Sequence, residues 1–325
     1  MEQPGSISED AEVPDSLAGR RLDAVAARLF PDYSRARLQG WIAAGRLSVN
    51  GTPVTRARNA VASGDRLVLS AEVDDAAVGE SLPQDIAFGV LHADDDLIVV
   101  DKPAGLTVHP GAGEADGTLQ NALLHRFPET ARLPRAGLVH RLDKHTSGAL
   151  VVARTIGAHT HLVRMLQARE IHREYDTVVW GRLVAGGTVE APLGRDPRSR
   201  VRIAVLAGGR DAVTHYRVHA RFGWHTHLRV RLETGRTHQI RVHMKHIRHP
   251  IVGDDVYGGR RGHGRGMPED LRELLATFPR QALHARRLAL THPISGEALD
   301  IEAPLPADMH ALLDGLQRLS PDRGD

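Results

Sequence analysis

Apolar residues in the first fifth of the chain recur with helical spacing and then alternate as in strands. A first helix is predicted after Arg21, with an apolar face at intervals of three and four residues formed by Leu22, Val25, Ala26 and Leu29. A second begins with Ser34 as its N-cap and ends at Gly45. Its apolar residues are Leu38, Trp41 and Ile42. The run LSVNG (47–51) then enters an Asn-Gly turn, a strong hairpin signal, and Val54 and residues 66–69 supply further strands.

The pattern after residue 85 is that of a larger, strand-rich domain. Buried or half-buried strands are predicted at 97–100, 149–153, 175–180 and 228–232, and helices at 158–168 and from about Thr237. Strands outnumber helices and no regular strand–helix–strand repeat is present. We therefore predict an α+β fold, with a mixed, mainly antiparallel sheet in the second domain.

Charge changes sharply along the chain and suggests domain boundaries. Residues 1–15 carry five acids and no Lys or Arg, whereas residues 16–70 carry nine Arg and three Asp, a net charge of +6. Another acidic stretch follows. We predict a disordered tail (1–15), a small basic domain (16–72), an acidic linker (73–85), a catalytic domain (86–318) and a C-terminal tail (319–325). A basic module between acidic segments is typical of polyanion binding, although a solvated arginine-rich surface explains the charge equally well.

Composition narrows the cellular setting of this 325-residue chain. It contains no cysteine, which excludes disulfide and thiolate chemistry and favours a cytoplasmic location. The acidic N-terminus does not have the pattern of a signal peptide, and no apolar run is long enough to span a membrane. We expect a cytoplasmic monomer without a membrane partner.

The densest group of polar residues lies at 140–148 (HRLDKHTSG), directly before an apolar strand. Gly148 suits a tight turn into that strand. From the residues alone, this segment is most simply a charged surface loop in which the Asp143 side chain forms a local turn.

Similarity to a known family changes this interpretation. The segment GLVHRLDKHTSGALVVART (137–155) resembles the central motif of the RluA-type pseudouridine synthases, in which the Asp of HRLD is catalytic. Four more segments resemble family motifs in the same order: DKPAGLTVHPG, REYDTVVWG, APLGRDPRSR and TGRTHQIRVHMKHIRHPIVGDDVYG, followed by a fifth, RQALHARRLALTHP. Upstream, SRARLQGWIAAGRLSVNGTPV (34–54) resembles an alpha-L RNA-binding module. The overall layout is similar to the branch that acts on large-subunit ribosomal RNA.

This resemblance implies a reaction and a set of residues. The N1–C1′ bond of a uridine in RNA is broken and C5 is joined to C1′, which requires no cofactor. Asp143 acts as nucleophile or as base. Arg241 supplies its counter-charge, and Tyr175 contacts the uracil. Arg141 fills the gap left by the extruded base or holds a phosphate.

Further RNA contacts are predicted at positively charged or imidazole side chains: Lys102, Lys144, Arg35, Arg37 and Arg46, with His140 either contacting RNA or serving a structural role. The implied partner is large-subunit ribosomal RNA or an assembling ribosomal subunit. One departure from the family is His145, which stands where the family usually has an acid.

Two other functions remain open at this stage. The first is a glycosidase-like or metal-dependent enzyme. Glycoside hydrolysis uses two carboxylates across the bond, and Asp94, Asp95 or Asp96 could supply the second, although we interpret this run as a solvated turn. The histidines His238, His243, His246 and His249 lack matching acids or cysteines, so we predict helix-surface or RNA-facing roles and no metal. The other alternative is a non-catalytic RNA-binding protein that depends on residues 16–70 alone.

Overall fold

The computed structural model describes residues 6–30, 33, 35–72, 82–111, 114, 116–199, 202–258 and 266–321. The chain divides into two compact units, Met1–Ser81 and Leu82–Asp325. The predicted N-cap Ser34, most of the acidic linker (73–81) and most of the glycine-rich run 258–266 lie outside the described residues.

The first unit is a small helix-and-hairpin domain, as its apolar pattern predicts. It contains β1 (Ser6–Glu12), α1 (Leu22–Leu29), α2 (Arg35–Ala43), β2 (Leu47–Val49), β3 (Thr52–Pro53) and β4 (Arg66–Glu72). The strands form one sheet in the order β1-β4-β2-β3. The apolar residues predicted for the two helices form its core, together with residues of the sheet: Leu22, Val25, Ala26, Leu38, Trp41, Ile42, Leu47, Leu67 and Leu69.

The prediction of disorder over residues 1–15 is wrong for the described part of that segment. Strand β1 pairs antiparallel with the whole of β4. Its acidic side chains find partners in the basic domain: Arg66 donates to Asp10 at 3.0 Å, and Tyr33 donates to Glu9 at 2.6 Å. Val13 is buried. These contacts to the rest of the unit stabilise a segment that has little tendency to form a strand by itself.

The second unit is built on a nine-stranded sheet. Its strands are β5 (Gly89–Ala93), β6 (Leu97–Lys102), β7 (Ser147–Ala153), β8 (His172–Trp180), β9 (Gly187–Glu190), β12 (Val213–Arg221), β13 (His225–Leu232), β14 (Leu283–Thr291) and β15 (Ala298–Glu302). They run in the order β5-β6-β7-β14-β8-β13-β12-β9, with β15 beside β14. The pair β7–β14 is parallel, and the other pairs are antiparallel. A separate two-stranded sheet pairs β10 (Leu193–Arg195) with β11 (Ile203–Val205). The predicted α+β class is therefore confirmed.

Helices cover both faces of this sheet. They are α3 (Leu119–Arg126), α4 (Ile156–Ala168), α5 (Gln239–His246), α6 (Glu269–Thr277) and α7 (Ala307–Leu319). Successive residues of β6 belong to two different apolar clusters, Ile98 and Val100 to one, and Leu97 and Val99 to the other. Burial on both faces explains why β6 and β7 are continuous apolar runs in the sequence.

The limits of the second unit are wider than the sequence indicates. The backbone N–H of Gln84 donates to Asn121 at 3.0 Å, so residues 82–85 belong to this unit and not to the linker. At the other end, Ser320 is buried and its carbonyl accepts from Gly223 at 2.8 Å. Residues 319–321 are therefore part of the fold, and 322–325 lie outside the described residues. No helix in the described ranges has the length and apolar character needed to cross a lipid bilayer.

Candidate active site

Asp143 lies in a loop that leads into β7 and is fixed by backbone contacts. The N–H of Thr146 donates to the Asp143 carbonyl at 3.0 Å, which closes a turn. Two buried basic side chains hold the following residues: Lys102 donates to the Lys144 carbonyl at 3.0 Å, and Arg280 to the His145 carbonyl at 3.1 Å. Gly148, with φ +110°, passes so close to β14 that a Cβ would overlap the Ala285 carbonyl. The loop is thus a rigid support.

The Asp143 side chain is paired with Arg241 of α5. Its side chain is only 15% exposed, and its Oδ2 accepts from Arg241 Nη1 at 3.2 Å. The other side of the same guanidinium makes two hydrogen bonds to Asp254, at 2.8 and 2.9 Å. Burial opposes the charge of Arg241, but the contacts with Asp254 and Asp143 raise its pKa above the ordinary value. The local-turn interpretation of the Asp143 side chain is therefore wrong.

Asp254 is a site residue that sequence analysis missed. Its side chain is fully buried, and its Oδ1 also accepts from the N–H groups of Val256 and Tyr257. A charge-assisted pair of hydrogen bonds to a guanidinium fixes the plane of Arg241 as well as its position. The only signal was the acid pair in VGDDVYG, which does not say which acid is buried.

His238 also faces Asp143. Its Nε2 lies 3.9 Å from Asp143 Oδ1, and its Nδ1 lies 2.8 Å from the Tyr257 hydroxyl. That hydroxyl accepts from the Ile203 N–H at 2.9 Å, so its own proton can be donated to His238 Nδ1. Burial lowers the pKa of His238, although the negative charge of Asp143 acts in the opposite direction. The predicted helix-surface role does not describe this residue.

Tyr175 of β8 lines the same cleft and is 5% exposed. Burial raises the pKa of its phenol, and the negative charge of Asp143 adds to that rise, against the opposing charge of Arg173. The hydroxyl is therefore protonated at neutral pH. The structure thus brings together the three residues predicted to carry the chemistry.

The cleft has a volume of about 650 Å³ and is lined largely by polar residues. Besides Arg241, its positively charged lining consists of Arg135, Arg141, Arg169, Arg173, Arg210 and Arg236. Its acidic lining residues among those described are Asp143 and Glu233. Of the six arginines, only Arg141 was predicted, because the others come from separate segments that the sheet and its connections bring together. A concave, positively charged surface of this kind suits a polyanion.

Several predicted RNA contacts have other surroundings. Lys102 is completely buried, where it donates to the carbonyls of Pro103, Leu106 and Lys144, and burial lowers its pKa to about 7. The prediction that it faces phosphates is therefore wrong. A lysine is normally exposed, and only the three converging carbonyls make this site suitable for one. Lys144 is exposed and pairs with Glu114 at 2.8 Å.

His140 has the structural role that the sequence analysis allowed. Its Nε2 accepts from the Val151 N–H at 3.1 Å, and burial, with the charge of Arg173, lowers its pKa to about 3. It is therefore neutral and ties the loop to β7. In the first unit, Arg46 is exposed, whereas the side chains of Arg35 and Arg37 lie outside the described residues.

The residues considered for other functions do not assemble a second centre. Asp94 to Asp96 form the turn between β5 and β6, as predicted, where Asp94 Oδ1 accepts from Leu97 at 2.8 Å. The prediction that His243 is on the helix surface is wrong. It is buried between Thr214 and the Ala191 carbonyl. In the described part of the chain, no group of three or more His, Asp or Glu side chains could hold a metal ion.

Comparison with known proteins gives a consistent assignment. The family model described as RNA pseudouridylate synthase matches residues 96–246, and the S4 domain model matches residues 20–67. Ribosomal large subunit pseudouridine synthase D of Pseudomonas aeruginosa is 54% identical over 96% of this chain and 97% of its own length. The protein of the same name from Xanthomonas campestris is 53% identical over 96% of this chain and 93% of its own length.

A solved structure is also similar to this fold. Human RNA pseudouridylate synthase domain containing 4 has a TM-score of 0.57 and 25% identity, covering 70% of this chain and 93% of that one. The resemblance found in the sequence motifs is thus confirmed. With an S4 domain before its catalytic domain, the chain belongs to the RNA pseudouridylate synthase family, enzymes that isomerise uridine in RNA to pseudouridine.

Proposed function

We propose that this enzyme modifies uridines of large-subunit ribosomal RNA, with Asp143 as its catalytic residue. The substrate is supported by the names of the two bacterial relatives, which align over nearly their whole lengths. The role of Asp143 is supported above all by its pairing with Arg241, itself held by Asp254, at a cleft of nucleotide size.

The reaction makes clear demands on this group. The N1–C1′ bond breaks, the uracil turns, C5 joins C1′, and the C5 proton leaves while N1 gains one, so the product has the mass of the substrate. Asp143 either attacks as a nucleophile or removes a sugar proton as a base. Both routes start from an ionised carboxylate. Arg241 supplies the adjacent positive charge, and Asp254 keeps that charge in place while the bonds at C1′ change.

Two neighbours of Asp143 receive the substrate. The ring of Tyr175 contacts the uracil, and because burial raises the pKa of its phenol, this contact is made by a neutral residue rather than by a phenolate base. Arg141 is exposed at the edge of the cleft, two residues before Asp143. It occupies the gap left by the extruded base, a step that costs a few kcal/mol of unstacking.

The first unit contributes RNA affinity. Its S4 domain match, its net charge of +6 over residues 16–70 and the exposed Arg46 support contacts with phosphate groups. Such contacts position the enzyme on its RNA without reading a base.

A single mapping experiment tests both parts of the proposal. Pseudouridines in large-subunit ribosomal RNA are mapped in cells that have or lack the protein, and in cells that carry Asp143→Asn. We expect specific positions to lose pseudouridine without the protein and to remain unmodified with Asp143→Asn, whose purified form still binds the RNA. Asp95→Asn, a change at an exposed turn residue, is the matched control and restores the modification.

Each alternative function gives a different result. Release of free uracil from RNA would indicate glycosidic hydrolysis. Pseudouridine formation by Asp143→Asn at the normal rate would remove Asp143 from the mechanism. An unchanged ribosomal map, with loss of pseudouridine from another RNA, would reject the proposed substrate and keep the enzyme class.

A further inference from the structure

Arg173 of β8 is a buried cation without a counter-charge. It precedes Tyr175 by two residues and therefore lies on the same face of the strand, towards the cleft. The residue is only 9% exposed, and its Nε has no hydrogen-bond partner. Among the described residues, no carboxylate forms an ion pair with it, unlike Arg241 in the same cleft.

The residues near Arg173 do not neutralise it. His140 and Tyr175 both feel its positive charge, but the histidine is neutral with a pKa of about 3, and the pKa of the phenol is raised by burial. The two acids that line the cleft have other partners. Asp143 pairs with Arg241, and Glu233 pairs with Arg169 at 3.1 Å and with His215 at 2.6 Å.

The backbone of Gly235 leaves space for this guanidinium. A Cβ at this position would lie 2.7 Å from Arg173 Nη1. The glycine φ is not in the left-handed region, so the backbone conformation does not itself require glycine. The space that a side chain at this position would need is occupied by the guanidinium of Arg173.

An unpaired buried guanidinium is costly, because arginine keeps its charge and loses hydration. Next to a substrate cleft, the missing counter-charge can be supplied by an anionic group of the bound substrate. Within RNA, that anion is the phosphate group. Uracil offers only neutral carbonyls, which cannot supply the missing charge, whereas phosphate oxygens match the fork of a guanidinium.

We propose that Arg173 binds a phosphate group next to the uridine whose base enters the cleft against Tyr175. This inference rests on the proposed reaction at Asp143, since it requires the nucleotide to occupy that cleft. Arg173 then holds the backbone while Tyr175 holds the base, which fixes C1′ between them.

The test is a coupling experiment with RNA of altered charge. The probe is a synthetic fragment that spans a mapped target uridine, either native or with one uncharged methylphosphonate linkage at each position around it. Binding is measured with full-length protein carrying Asp143→Asn, so that the RNA is not converted. Arg173→Met is added to this protein, and Arg318→Met, at an exposed arginine of α7 outside the cleft lining, is the matched control.

We expect Arg173→Met to weaken binding of native RNA by at least about tenfold, as for loss of a buried charged partner. The slope of log affinity against log salt should fall by about 0.7–0.9, the value for one phosphate contact. One methylphosphonate linkage should weaken binding to the Arg173 protein to a similar extent and should have no further effect on Arg173→Met. The Arg318→Met protein should behave like its parent.

Additive effects at every linkage, or an unchanged affinity of Arg173→Met, would overturn the proposal. Pseudouridine formation by the protein with Asp143 intact is measured in parallel on the same native fragment. If that activity is normal while the linkage effects are additive, the phosphate contact is rejected and the proposed function stands. If the protein makes no pseudouridine in that RNA, the proposed function fails by itself.

Discussion

The candidate active site contains two buried arginines in opposite electrostatic surroundings. Arg241, on α5, lies between Asp143 and the fully buried Asp254, with hydrogen bonds to both. Arg173, on β8, has no carboxylate partner among the described residues, and His140 and Tyr175, on which its charge acts, are neutral. Both guanidinium groups border the same cleft.

The difference separates two uses of a buried charge. A cation that belongs to the folded protein carries its own counter-charge, because the cost of desolvation must be offset within the fold. A cation that serves the substrate leaves its counter-charge to the ligand, and the free protein carries the cost. The same substitution at the two positions should therefore change stability in opposite directions.

The largest effect is expected from Arg241→Met. It leaves Asp254 as an unpaired buried carboxylate and should lower the free energy of unfolding by about 3–5 kcal/mol. It also removes the positive charge beside Asp143, which should slow pseudouridine formation by about 100- to 1000-fold. Urea unfolding and product analysis measure the two effects.

A second change separates these effects. Adding Asp254→Asn to Arg241→Met removes the unpaired charge and should restore most of the lost stability, whereas activity stays low. If Arg241→Met alone were as stable as the wild type, the conclusion that Arg241 neutralises the buried Asp254 in the fold would be wrong.

The sequence predicts much of this site, and its limits have physical causes. Asp143, Tyr175 and Arg241 follow from motifs in a fixed order, but the residues alone favoured a solvated loop at Asp143. Whether an acid is buried depends on contacts distant in sequence. Asp254, for example, meets Arg241 only after the chain has left α5 and turned back towards it.

In the fold, too, the elements that depend on contacts distant in sequence were not predicted. Strands β6 and β7 are predictable because burial on both faces produces continuous apolar runs. Strand β1 is not, because its acidic composition is typical of a disordered tail, and its partners Arg66 and Tyr33 lie far along the chain. Lys102 was misassigned for a similar reason: the three carbonyls around it come from two loops.

The second prediction concerns Arg173→Met in the free enzyme. Removal of an unpaired buried charge should raise the free energy of unfolding by about 1–3 kcal/mol, the opposite sign to Arg241→Met. With saturating RNA present, the wild type should instead be more stable than Arg173→Met, because only the arginine gains a phosphate partner. Thermal unfolding with and without RNA measures both. A loss of stability in the free Arg173→Met protein would show that Arg173 supports the fold by contacts of its own.

The third prediction tests whether burial without a partner is costly outside the cleft. Both ring nitrogens of His225 are buried and unpartnered, and burial lowers its pKa to about 4. Its folded-state pKa is below the unfolded value of about 6.5. Above about pH 6.5 His225 is therefore neutral in both the folded and the unfolded state, and its titration does not affect stability. Between pH 6.5 and 4 the unfolded chain binds the proton first, and stability is lost.

His225→Phe, which keeps a ring against Trp180, should remove this loss. At pH 5 it should gain about 1–2 kcal/mol relative to the wild type, beyond any difference at pH 8. Urea unfolding at the two pH values measures the gain. Parallel stability curves for the two proteins from pH 8 to 5 would contradict the assignment, and activity at pH 8 should be unchanged because His225 is not part of the cleft lining.

The smallest effect is expected from Gly235→Ala, which tests the position of Arg173 without removing its charge. The new methyl group lies 2.7 Å from Nη1, so the guanidinium must move by several tenths of an ångström. A displaced guanidinium loses part of a directional contact, and RNA affinity should fall by about three- to tenfold, or about 1 kcal/mol. In the Arg173→Met protein the flexible methionine can give way, and Gly235→Ala should then have no further effect on affinity. An equal loss in both proteins would mean that the glycine contacts the RNA directly, and the unpaired arginine would no longer explain why this position lacks a side chain.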